Sequence, residues 1–235
     1  MLKECLLGTK VQEKYWAKRH MKGGSDWGNI VTSRGEKDWV RSYWNSRNHS
    51  HRPLLLKTIS GHFPFSSVLE IGCNCGPNLH LIAIQYPGST LRGIDINPFA
   101  VQTGNELFTK ASISNVKLTL GKADDLSQFE DKSFSIVFTD AVLIYVGPDK
   151  IRKVLNEMVR VAQKALILVE WHFESQSKDS DGLGVYHLGC WKRNYVNLIK
   201  HCVPAVKEIL CTKIPPESWE AKNWQELGYI IEVNL

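Results

Sequence analysis

Short apolar runs alternate with stretches of helical periodicity through the middle of the chain, and this alternation predicts its elements. Val68, Leu69 and Ile71 make the first buried strand. Gly72 and Gly76 then bracket a tight loop, and Leu79, Ile82, Ala83 and Tyr86 follow at helical spacing behind Pro77. Further strands are predicted over residues 90–95, 116–120, 134–139 and 165–169, with later ones over 206–212 and 229–233. Asn97 and Pro98 open one intervening helix. Gly147 and Pro148 open another, in which Ile151, Val154, Leu155, Met158, Val159 and Ala162 keep the helical period. Residues 174–184 are polar and rich in turn formers, which suggests a mobile loop, and 191–201 read as a helix. The pattern before residue 65 differs, with helices expected over 13–20, 36–46 and 51–59, a flexible break at 22–28 and no strand. Strands alternating with helices argue for an open α/β sheet, largely parallel, with helices on both faces. We therefore expect two parts: residues 1–64, a helical appendage, and residues 65–235, the sheet domain.

Composition changes this picture little. An apolar fraction of 43% over 235 residues supports a sizeable core. The net charge of +5 comes from spread basic residues, which permits an anionic partner without demanding one. The N-terminus lacks a signal peptide's apolar core and no long apolar span occurs, so a cytoplasmic protein with no membrane partner is expected. Six scattered cysteines show no metal-ligand spacing, so free thiols and no metal site are expected. Eight tryptophans are many, and four of them (Trp16, Trp27, Trp39, Trp44) precede the first strand.

Candidate chemistry sits where such sheets bind ligands, at the carboxyl ends of the strands. Asp95 ends the second strand, Asp124 and Asp125 follow the third, Asp140 the fourth, and Glu170 with His172 the fifth. An acid after the second strand suits ribose hydroxyls, and one after the third suits an adenine amino group. The dinucleotide fingerprint fails, because Asn74 and Pro77 stand where glycines are needed, and no Walker lysine is present.

These motifs, in order, are Leu69-Glu-Ile-Gly-Cys-Asn-Cys-Gly76, Gly93-Ile-Asp95, Gly121-Lys-Ala-Asp-Asp-Leu126 and the run from Phe134 to Val146. Through them the chain resembles the class I S-adenosylmethionine-dependent methyltransferases, well over residues 65–172 and by pattern alone beyond. The resemblance implies a Rossmann-like, seven-stranded, mostly parallel sheet with an N-terminal helical lid, and S-adenosyl-L-methionine as cofactor. It implies that Glu70, Gly72 and Cys73 approach the methionine part and that Asn74 and Gly76 of the same loop also bind the cofactor. Asp95 and Ile96 would take the ribose and one adenine face, Ala123, Asp124 and Asp125 the adenine edge, and Asp140 and Ala141 the path to the sulfonium. Asn74 departs from the glycine many members carry, and asparagine tolerates the positive φ such a loop needs.

A neutral oxygen or nitrogen acceptor needs a base, for which His172 and then Tyr145 are the candidates. The alternatives for them are a locally hydrogen-bonded loop histidine and a core aromatic. From the lid, Tyr15, Trp16, Trp44 and His49 would face the sulfonium and Arg52 the cofactor carboxylate, with packing onto the sheet the open alternative for Trp16, Trp44 and Arg52. Trp27 and Trp39 read as packing residues. Trp44 and the 186–195 segment, with His187, Trp191, Arg193 and Tyr195, are expected on the substrate side, although Arg193 also reads as a solvated charge. The expected activity is methyl transfer to an oxygen or nitrogen of a small molecule, a sugar or secondary metabolite. RNA or protein methylation and cofactor binding without catalysis are the alternatives. A nucleic-acid acceptor is disfavoured because Asp140-Ala-Val-Leu143 replaces the tetrapeptide usual in amino-methylating nucleic-acid enzymes.

Overall fold

The computed structural model describes residues 9–19, 39–174, 181–204 and 206–235. Trp27, the 22–28 break and most of the 174–184 loop lie outside them. Three helices precede the sheet: α1 (Thr9–Ala17), α2 (Trp39–Asn45), which runs on into a 3-10 turn, and α3 (Arg52–Gly61). The sheet domain then runs β1 (Ser67–Ile71), α4 (Pro77–Gln85), β2 (Thr90–Asp95), α5 (Pro98–Lys110), β3 (Val116–Leu120) and β4 (Phe134–Asp140). After a 3-10 turn at Leu143–Tyr145 come α6 (Ile151–Val161) and β5 (Ala162–Trp171). The last third holds β6 (Val185–His187), β7 (Cys190–Lys192), α7 (Tyr195–Cys202), β8 (Glu208–Lys213), α8 (Lys222–Leu227) and β9 (Gly228–Asn234).

Seven strands form one sheet in the order β3-β2-β1-β4-β5-β9-β8. The first five are parallel, and β9 runs antiparallel to both β5 and β8. Every residue of β4 is buried, which explains its largely apolar run: both its faces are covered. Alternation divides the core in two. Val68, Phe138, Ile167 and Val169 face one layer, and Leu69, Val137, Leu166 and Leu168 face the other with α6 and α7. The order reverses between β1 and β4, so their carboxyl ends open the crevice in which such sheets bind ligands.

The N-terminal helices share the first layer, since Trp39, Val40, Trp44, Leu55 and Ile59 are buried in the same cluster as Leu79, Phe108 and Phe138. Two elements were not legible. Residues 190–192 pair with 185–187 as a hairpin, so the helix expected from 191 begins only at Tyr195. The hairpin turns through Leu188 and Gly189, both at positive φ (47° and 86°), as a two-residue turn of this kind requires. Leucine is a poor residue there, and it is 63% exposed. Leu188→Asn is therefore expected to raise stability by about 1 kcal/mol, read as a higher denaturant midpoint. The short helix α8 also lacks an apolar period long enough to predict. Among the described residues, no helix is long and apolar enough to cross a membrane.

Candidate active site

The loop after β1 is built as its residues predict. Gly72, Asn74 and Gly76 all take positive φ (72°, 50° and 81°). Asn74 stabilises its own turn, its Oδ1 accepting the Cys75 amide at 2.8 Å. At Gly72 a Cβ would lie 2.4 Å from Val142 Cγ2, so glycine lets the loop after β4 close against the loop after β1. Asp95 joins two loops: Oδ2 accepts the Asn74 amide at 2.7 Å and Oδ1 the Asn97 amide at 2.8 Å. An ionised carboxylate has about four acceptor positions, so capacity remains for a ligand's hydroxyls. Burial pushes the Asp95 carboxyl up, against the pull of those amides. Ile96 is half-buried beside it, and Asn97 caps α5 as predicted, accepting from Phe99 and Ala100.

At the crevice between β1 and β4 a buried polar cluster gathers residues distant in sequence. Asn78 Nδ2 donates to Glu70 Oε1 at 2.8 Å and to Asp140 Oδ2 at 2.9 Å, while its Oδ1 accepts from Arg52. Arg52 Nη1 also lies 3.3 Å from Asp140 Oδ2, and the rest of its guanidinium holds the carbonyl and hydroxyl of Ser46. His51 Nε2 donates to the same Asp140 oxygen at 2.9 Å. Burial pushes Asp140 up, but His51, Arg52 and Asn78 outweigh it and hold the carboxyl well below the usual range. Glu70 gets less help, and burial raises it to about 8. Glu70 Oε2 and Asp140 Oδ1 are buried with no partner among the described residues. Orphaned acidic oxygens of this kind fit a cationic ligand group. Cys73 is buried at the base of the loop, and burial raises its thiol far above reactivity.

Helix α1 reaches the other side of the crevice. Thr9 Oγ1 donates to Asp149 at 2.8 Å and accepts the Gly147 amide at 2.8 Å. Glu13 pairs with Lys122 and Lys150, and Lys150 lies 3.0 Å from Asp124. Asp125 is exposed, Ala123 is half-buried, and Trp16 packs on Tyr145 with ring centroids 4.8 Å apart. Burial raises the Tyr145 phenol well above its ordinary value, so it is a proton donor near neutrality and not a base. Ala141 stands directly after β4 at φ 59°, its amide donating to Val169.

Other expected residues are elsewhere. His172 is 2% exposed on the opposite layer, its Nδ1 accepting the Tyr195 amide at 3.2 Å and its ring edge-on to Tyr229. Burial lowers its pKa, and its work is to hold the start of α7. Trp44 does not face a substrate. It lies in the core, edge-on to His80 and Phe108, because α2 packs across α4 and α5. Arg193 is neither solvated nor a substrate cation. It is fully buried and donates to the carbonyls of Leu183, Leu143 and Val146, stitching the 3-10 turn to the hairpin. Tyr195 is fully buried as well, and Trp191 packs against Tyr186 at 5.1 Å. His187 is half-buried, 6.5 Å from Trp171. Sequence reasoning missed Asn78, His51 and Trp219. Asn78 carried one signal, its place in the first turn of the helix that follows the glycine loop.

With this geometry in view, the strand order and strand-end acids define a class I methyltransferase fold. A family model described as a methyltransferase domain matches residues 68–165. Over those residues the chain is similar to methyltransferase domains. An uncharacterized protein of Rickettsia prowazekii (strain Madrid E) is 30% identical over 122 residues, 48% of this chain and 48% of its own. The chain thus spans about half the length of the curated relative it matches. Among solved structures, a SAM-dependent methyltransferase from Aquifex aeolicus superposes with a TM-score of 0.59 at 16% identity, covering 83% of this chain and 96% of that one. Geranyl diphosphate C-methyltransferase from Streptomyces coelicolor A3(2) gives a TM-score of 0.63 at 13% identity, with 96% and 97% covered. A plantazolicin methyltransferase gives 0.63 at 14%, with 96% and 94% covered. At these identities the likeness is one of fold.

Proposed function

We propose that the protein transfers a methyl group from S-adenosylmethionine to an oxygen or nitrogen of a small-molecule acceptor. The observation that carries this reading is the pair of buried, unpartnered oxygens on Glu70 and Asp140, facing a crevice that Asp95 and the glycine loop complete. Bound there, the cofactor supplies an electrophilic methyl on a sulfonium sulfur. The chain's own residues then bind and align. Glu70 faces the ammonium group, Asp95 the ribose, and Asp124 the adenine amino group, with Lys150 holding that acid in place. Helix α1 acts as the lid, latched by Thr9 and Glu13 over the loops after β3 and β4. Alignment is the main requirement of an in-line displacement, and a rigid buried cluster suits it. Similar folds whose acceptors are small molecules, geranyl diphosphate and plantazolicin, support the acceptor class.

Calorimetry with S-adenosylhomocysteine tests the pocket. Wild type is expected to bind, and Asp95→Ala to weaken binding at least tenfold through the lost charge-assisted bonds. Failure of both proteins to bind, or equal binding, would remove this reading. Labelled methyl donor offered to separate metabolite, RNA and protein fractions then decides the acceptor class. Label in RNA or protein would overturn the small-molecule assignment, and label in none would leave a binding protein.

A further inference from the structure

We infer that His49 is the general base of the transfer, held in position by a relay through His51 to Asp140. This rests on the methyltransferase reading above and adds to it the group that takes the acceptor's proton.

Three contacts carry it. His51 Nε2 is 2.9 Å from Asp140 Oδ2, and the two side chains are 4% and 3% exposed. His51 Nδ1 is 2.6 Å from His49 Nδ1. The second face of the His51 ring stacks on Trp219 at 4.0 Å and 25°, and Trp219 stacks on Trp224 at 3.8 Å and 5°. With Asp140 ionised and both imidazoles neutral, the hydrogen-bond chain admits one set of tautomers. Asp140 is ionised, so the proton between it and His51 sits on His51 Nε2. With His51 neutral, its Nδ1 offers a lone pair and the 2.6 Å contact is a bond that His49 donates from its own Nδ1, an atom that also lies 3.5 Å from the His51 amide. His49 Nε2 is left as a bare lone pair. No hydrogen bond occupies it among the described residues, and His49 is half-buried where His51 is closed off.

The arrangement suits proton transfer. As the acceptor's oxygen or nitrogen bonds to the methyl carbon, the carbon–sulfur pair returns to sulfur and the acceptor's proton passes to His49 Nε2. The Nδ1 proton of His49 is then shared with His51, whose developing charge faces Asp140 and the Trp219 ring. An orienting acid behind a histidine is the logic of hydrolytic triads, here lengthened by one imidazole. The charged groups facing the pair are Asp140 from β4 and Arg52 from α3, with Glu70 beyond them. The charged residues beside Trp219, Glu217 and Glu220, are exposed. Burial is the largest cause that lowers His49, to about 4, so it is neutral at physiological pH.

The test is 15N-histidine NMR on the intact protein with no ligand added, joined to a transfer assay. Wild type is expected to show His49 protonated at Nδ1 and His51 at Nε2. His51→Phe is expected to return His49 to an independent titration with the ordinary Nε2–H tautomer. With labelled S-adenosylmethionine and a small-metabolite extract, His49→Ala is expected to lose at least a hundredfold in kcat. Its S-adenosylhomocysteine affinity should stay within about twofold of wild type. An Nε2–H tautomer at His49 in the wild type overturns the relay even if no acceptor is found. Transfer by His49→Ala within a few-fold of wild type overturns its role as base. Loss of S-adenosylhomocysteine binding by wild type itself would instead strike the methyltransferase reading and leave the tautomer result standing.

Discussion

Wild-type affinity for S-adenosylhomocysteine is expected to rise by roughly tenfold per pH unit from about pH 6 to pH 7.5 and to level off above about pH 8, and Glu70→Gln to abolish that dependence. The cause is the buried carboxyl. Desolvation raises Glu70 to about 8, more than the Asn78 hydrogen bond and Arg52 can reverse, with Asp140 adding repulsion. The free protein therefore holds a neutral Glu70 near neutrality, whereas a ligand ammonium favours the ionised form, so binding releases a proton. The same shift governs stability, with the sign of a raised carboxyl. The unfolded chain ionises near 4.3, and the native one resists until about 8. Stability is full below the unfolded value and is lost as pH rises through the folded one. Glu170, raised by burial to about 7, adds in the same direction. The unliganded protein should melt lower at pH 8.5 than at pH 6, and Glu70→Gln should narrow the difference. Binding that weakens as pH rises would show that Glu70 does not meet the ammonium.

Arg193→Met is expected to destabilise the fold by about 3–5 kcal/mol, a fall in Tm of roughly 10 °C. Methionine keeps much of the volume but donates nothing, so the carbonyls of Leu143, Val146 and Leu183 lose the guanidinium, with Leu143 keeping the Val146 amide. Two of these carbonyls belong to the turn that carries Tyr145 against Trp16, and Glu170 holds the same turn from its amides, accepting from Val142, Leu143 and Ile144. Loss of the arginine should thus also loosen α1, visible as earlier proteolysis near residue 18 than in wild type. A melting temperature within a degree or two of wild type would show that the three carbonyls find other donors.

Much of this site is local in origin. The strand, the positive-φ loop and the helix opened by Pro77 follow from apolar spacing and from where glycine, asparagine and proline are tolerated. Asp95 ends its strand one residue after the apolar run stops, so its place at the crevice follows from the strand itself. The glycine loop and the strand-end acids were therefore readable from residue types over short windows. The polar cluster around Asp140 was not. His51 meets Asp140 across 89 residues and Arg193 meets Leu143 across 50, and neither contact leaves any periodicity in the chain.

The tryptophans show the same division. Their number before β1 implied an aromatic lid, yet Trp44 is core and Trp16 touches Tyr145, while the ring that stacks on His51 is Trp219, from the far end of the chain. An indole has the same residue type whether it packs a helix or lines a cavity, and only the crossing of elements decides which. The sequence by itself determined the parallel sheet, its glycine loop and the strand-end acids, because strand periodicity and backbone sterics act between neighbours. The tertiary structure alone decided which buried acids keep an oxygen with no partner among the described residues, which histidine lies against Asp140 and which arginine is a clamp. Those properties depend on burial and on partners that folding brings together from distant parts of the chain.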